Sequence, residues 1–185
     1  KTSRDEERIV ENKKDEIEVL NTEIQNANDI IGIKKVFIES FPDNRFDSVD
    51  LLDIIKVISK VKEEVKPDII FTHYENDLNI DHQITYKAVI TATRPMEGEC
   101  VKEIYSFEIL SSTEWNYPLS FSPDTFYDIS DTIDLKIEAM KEYTSELCKY
   151  PHPRSLEGIE LNAKYQGIRV GKIYVEAFKT IRNLK

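Results

Sequence analysis

The chain has 185 residues, 40% of them hydrophobic, which is enough apolar side chain for one domain with a sizeable core. Acids outnumber bases 35 to 25, and a net charge of −10 argues against any phosphate-backbone partner, so no nucleic acid is expected as a ligand. Cys100 and Cys148 form neither a disulfide framework nor a close metal pair, no apolar run approaches the ~18 residues of a membrane span, and the start lacks the order of a signal peptide; a soluble, cytoplasmic protein is the expectation.

The sequence opens on Lys1 rather than Met, and residues 1–14 are so charged that they read as a loop running into a solvated helix, with further residues expected upstream. From about Glu6, the residues Ile9, Val10, Ile17, Leu20, Ile24, Ala27 and Ile31 recur at three- and four-residue steps, predicting an amphipathic helix that Gly32 ends. Residues 36–38 read as a short β-type run, 42–44 as a turn, and 49–65 as a second helix stopped by Pro67. Residues 68–71 predict a strand buried on both faces, emptying into the polar loop 72–79. Helix is predicted over 87–93, strand over 104–110, then helix over 131–147 and 156–165, while 173–181 fits strand or helix. This order implies βαβ crossovers in one α/β domain spanning 1–185, with no repeat and no linker. In such sheets ligands collect beyond the carboxyl ends of the strands, which makes the loop after Phe71 the first place to look for chemistry.

That loop holds two of the three histidines. It reads Thr72-His73-Tyr74-Glu75-Asn76-Asp77-Leu78-Asn79-Ile80-Asp81-His82, and its two imidazoles and three carboxylates are good ligands for a borderline cation such as zinc. The plainer reading has Asp77 and Asn79 making Asx turns, Asp81 capping the next helix and the histidines serving as polar loop residues. Spacing alone does not separate the two. A nucleotide-binding doubly wound domain is a third reading, but no glycine-rich phosphate loop is present and there are only five glycines.

Residues 67–73 followed by Asn76-Asp77-Leu78-Asn79-Ile80-Asp81-His82 closely resemble the second signature of the LmbE/PIG-L family of zinc-dependent de-N-acetylases. The resemblance extends through Ile109-Leu110-Ser111-Ser112-Thr113-Glu114-Trp115, Phe126-Tyr127-Asp128-Ile129-Ser130, Tyr150-Pro151-His152-Pro153-Arg154-Ser155 and Tyr174-Val175-Glu176-Ala177-Phe178, which covers nearly the whole chain. It implies a Rossmann-like three-layer fold with a mostly parallel sheet flanked by helices, here without the family's first strand and helix. It further implies hydrolysis of the N-acetyl group of an N-acetylglucosamine-type sugar or sugar conjugate, with Zn2+ as cofactor.

By the same resemblance His82 is a zinc ligand and Asp81 supports the histidine network. Asn79 stands where the family often has a histidine that stabilises the oxyanion; an asparagine donates a hydrogen bond but no acid proton. His73 is a further candidate donor. His152 and Arg154, in a proline-rigid loop, are candidates for binding sugar hydroxyls or a phosphate, and Trp115 for stacking on a sugar; the plainer alternatives are a surface loop with a salt-bridged arginine and a gap-filling indole. The family's first signature, His-Pro-Asp-Asp, supplies two zinc ligands and the general base. This sequence has no Asp-Asp pair, and its one His-Pro is His152-Pro153. Two expectations follow: a strand edge left unpaired, which would favour homo-oligomers, and, as a competing function, an inactive member that binds a sugar or a protein.

Overall fold

Short apolar runs that stop at polar loops give this chain its strands, and capped helices connect them. The computed structural model describes residues 12–185; Ile9 and Val10 of the first predicted helix lie outside the described residues. The chain divides into two compact units, Lys1–Ile38 with Tyr127–Glu176, and Glu39–Phe126 with Ala177–Lys185.

In the first unit, helix α1 (Asn12–Ile31) packs on α4 (Ile133–Glu142), and α4 on α5 (Leu156–Ile168). Ala27 is buried, whereas Ile17, Leu20 and Ile31 of the predicted stripe are exposed. The buried Glu23 takes a polar role in this contact: its carboxylate accepts from Thr144 Oγ1 at 2.6 Å and from the Ser145 N–H and Oγ at 3.1 and 2.7 Å. The helix predicted over 131–147 therefore ends at Glu142, because residues 144 and 145 turn their donors to Glu23.

In the second unit, α2 (Leu51–Val65) ends with Lys66 in the left-handed region at φ 48°, and Pro67 leads into β1 (Ile69–His73). Helix α3 (Ile80–Ala92) packs against both α2 and β1. It starts seven residues earlier than its apolar pattern suggests, because Asn79 caps it: the Asn79 side chain accepts from the Asp81 N–H at 2.8 Å. Strand β2 (Glu103–Phe107) then pairs in parallel with β1, Ile69 opposite Glu103 and His73 opposite Phe107.

The remaining strands are β3 (Thr125–Asp128) and β4 (Val175–Asn183), and the sheet order is β1-β2-β4-β3. The sheet is mixed: β1 and β2 make the expected parallel crossover, while β4 enters antiparallel to β2, with an irregularity between Ile104 and Tyr105. Ile104, Tyr105, Ala177 and Phe178 form buried parts of it. Residues 36–38, read as β-type, form no strand and stay exposed; no described strand offers their backbone a ladder.

Candidate active site at the carboxyl ends of β1 and β2

Because β1 and β2 are parallel and in register from Ile69–Glu103 to His73–Phe107, the loops that follow them leave the sheet at the same end. The first carries Asp77 and leads to His82 in the opening turn of α3; the second carries Ser112 and Thr113. These four side chains meet. Asp77 is fully buried. Its Oδ1 lies 2.9 Å from His82 Nδ1, accepts the Asn79 N–H at 2.8 Å and also accepts the Ser112 hydroxyl. Its Oδ2 accepts the Thr113 hydroxyl at 2.5 Å.

Burial alone would push the Asp77 carboxyl pKa up, but the bonds from His82, Ser112, Thr113 and the Asn79 N–H outweigh it and hold the group at about 2. An ionised carboxylate can only accept, so His82 presents a proton on Nδ1; in the neutral ring the lone pair is then on Nε2. The His82 side chain keeps 20% of its surface exposed, so solvent can reach the ring.

His73, the last residue of β1, stacks on His82 with ring centroids 4.3 Å apart and planes 16° from parallel, and its ring also meets Phe107 at 5.1 Å. Burial, reinforced by the neighbouring His82, lowers its pKa to about 4. His73 is therefore neutral at pH 7. Its Nδ1 is buried and has no hydrogen-bond partner among the described residues.

The two other candidates of this loop have structural contacts. The Asp81 carboxylate accepts the backbone N–H groups of Asn44 at 2.6 Å and Phe46 at 2.9 Å, pinning the 44–46 turn. The carboxylate that touches His82 is Asp77, five residues earlier in the chain, and not Asp81. The reason is helical geometry: with Asn79 as cap, Asp81 and His82 are adjacent first-turn residues that project in different directions. Asn79 uses its oxygen on the Asp81 N–H and one amide proton on Asn44 Oδ1 at 3.0 Å, so much of its hydrogen-bonding capacity is already committed.

Trp115 closes a short 3₁₀ turn two residues after Thr113 and is 42% exposed. His152 and Arg154 belong to the other unit. There Arg154 pairs with Glu146 at 2.5 Å, and its backbone N–H donates to His152 Nδ1 at 3.1 Å. The sequence reading missed the Ser112–Thr113 clamp, although both residues lie in a motif that carries the family resemblance; the parallel pairing of β1 and β2 was the signal that would have placed them opposite Asp77.

At the opposite, amino ends of the same strands a cavity of about 560 Å³ lies between α2 and the 94–100 loop. Its Lys62 is already committed to the Ala92 carbonyl at 2.7 Å and to Glu99 at 2.5 Å, and no histidine lines it.

The mixed α/β sheet thus gathers an oriented imidazole, a second neutral imidazole and a buried carboxylate at its carboxyl edge. Residues 2–93 match the model of the GlcNAc-PI de-N-acetylase family, PIG-L. It is 27% identical over 125 residues to the probable N-acetyl-alpha-D-glucosaminyl L-malate deacetylase 2 of Bacillus cereus, a match that covers 67% of this chain and 56% of that protein. The chain thus spans little more than half the length of this curated relative. Among solved structures, the conserved protein TT1542 of Thermus thermophilus superposes with a TM-score of 0.74 at 22% identity, over 91% of this chain and 75% of that one. The N,N'-diacetylchitobiose deacetylase of Pyrococcus horikoshii superposes with a TM-score of 0.66 at 18% identity, over 89% and 63%. At these identities the structural likeness speaks for the fold.

Proposed function

We propose that the whole protein containing this chain is a metal-dependent de-N-acetylase, hydrolysing the acetamide of an N-acetylglucosamine-type sugar or sugar conjugate to a free amine and acetate. The observation that carries the proposal is His82, its Nδ1 held by a buried carboxylate, in a chain whose residues 2–93 match the de-N-acetylase family. This donor chemistry suits zinc, which takes neutral imidazole nitrogen readily. Among the described residues no group of three histidine, cysteine or acidic side chains could hold a metal. His82 is thus proposed as one ligand, and the others, with the general base, as residues outside those described.

Bound zinc would supply an activated water and polarise the acetyl carbonyl. The remaining contributions come from this chain's own residues. Asp77 keeps the His82 ring in one orientation. His73 presents a neutral ring against it, which avoids a second positive charge beside the ligand. Trp115 offers an exposed indole of the kind that stacks on sugar rings, in the same loop as the residues that clamp Asp77.

Elemental analysis of the whole protein and of its His82→Ala variant tests this, together with assay of free amine from a panel of N-acetyl sugars. Zinc near one per chain that drops at least tenfold in the variant, with amine released only by the parent, is expected. Stoichiometric zinc with no deacetylation across the panel would remove the activity and favour a binding protein on the same fold.

A further inference from the structure

The Asp77 cluster joins three backbone segments through one carboxylate. Oδ1 receives the Asn79 N–H from the loop after β1 and the Ser112 hydroxyl from the loop after β2, and it faces Nδ1 of His82 on α3 at 2.9 Å. Oδ2 receives the Thr113 hydroxyl. Both hydroxyl-bearing residues and Asp77 are buried. Four contacts on a fully buried carboxylate go beyond the Asx turn needed to shape the loop, for which the Asn79 N–H contact alone suffices. They fix the carboxylate plane, and the carboxylate fixes the imidazole.

We propose that Asp77, locked by Ser112 and Thr113, is the positioning residue of the site: it holds the neutral His82 ring as the Nδ1–H tautomer, the form that can bind a metal through Nε2. The inference rests on the proposed role of His82 as a ligand, and it assigns to the loop after β2 a part in metal affinity that its distance in sequence hides. A free imidazole favours the Nε2–H tautomer modestly. Without an acceptor at Nδ1 the ring would drift to the form that must lose a proton from Nε2, or flip, before it binds metal.

Two measurements on the whole protein test the idea, one of them free of metal and activity. Long-range ¹H–¹⁵N correlation on the metal-free protein reads the tautomer of His82: Nδ1–H is expected in the parent and mainly Nε2–H in Asp77→Ala. Competition with a chromophoric chelator reads zinc affinity, which should fall about 10–100-fold in Asp77→Ala. A Ser112→Ala/Thr113→Val pair keeps the carboxylate but frees its plane, and should lower affinity by a smaller factor with the tautomer kept. Should Asp77→Ala fail to fold, Asp77→Asn retains an acceptor oxygen of nearly the same shape; the tautomer should persist while zinc binding weakens several-fold. The Nε2–H tautomer in the parent, or a parent tautomer and zinc affinity unchanged in the variant that folds, overturns the proposal. A parent that shows Nδ1–H but binds no zinc would instead count against the metal-dependent function and leave the positioning of His82 standing.

Discussion

His73 is the residue whose charge state has the clearest consequence for stability. In the unfolded chain it titrates near 6.5, whereas in the fold burial and the adjacent His82 hold it to about 4. Between these values the unfolded state binds the extra proton, so folding stability falls as pH drops from about 6.5 to 4, by at most about 3 kcal/mol, with no further loss from this group below that. Asp77 acts in the next window down: its stabilisation is complete above about 3.8 and is lost as pH falls towards about 2. Urea unfolding of the metal-free protein at several pH values should show this slope in the parent and a flatter one in His73→Gln. Equal slopes would mean that folding leaves the proton affinity of His73 unchanged. At this scale the sequence drew attention to the loop that holds two of the three histidines, but it did not reveal which carboxylate faces His82. That choice depends on Asn79 starting α3 and on Ser112 and Thr113 arriving from another strand.

Among the elements, α5 shows how tightly a helix start can be fixed. The buried Ser155 caps it, accepting the Gly158 N–H at 2.9 Å. A Cβ on Gly158 would lie 2.5 Å from the Pro153 carbonyl oxygen and 3.0 Å from that of His152. Both obstacles are backbone, so the loop itself would have to move. Gly158→Ala is expected to lower the thermal midpoint at a cost of about 1–3 kcal/mol, even though alanine favours helix by ~1 kcal/mol over glycine. A raised midpoint would show that the 152–153 loop gives way freely. The apolar periodicity located α2, α5 and β1 to within a few residues. It misplaced the start of α3, where a cap overrides the pattern, and the end of α4, where Glu23 diverts the chain. Strand β3 was not read as a strand; four residues beside β4 are too short a run for periodicity to register.

For the molecule as a whole, β1 stands at the end of the described sheet, and its Ile69 and Phe71 are 42% and 45% exposed. An edge strand with exposed apolar side chains is a template for pairing with other chains. The 185-residue chain should therefore self-associate as its concentration rises, and Ile69→Lys should reduce the association seen by light scattering; an unchanged scattering profile would mean that this edge is not the contact. No described helix is long and apolar enough to cross a membrane. The α/β class was legible from alternating helical and strand periods. The mixed character of the sheet was not, because residues 173–181 carry no local mark of strand direction.

Strand β4 follows the other described strands in the chain, yet it lies between β2 and β3. During vectorial synthesis β1, α3 and β2 can settle into their crossover while later residues are still emerging, but β2 and β3 must wait for residues 175–183 before β4 can join them. Completion of the described sheet is thus timed by the release of those nine residues from the ribosome. A nascent chain stalled before residue 175 would expose a second open edge, on β2, and would be a natural client for a ribosome-associated chaperone.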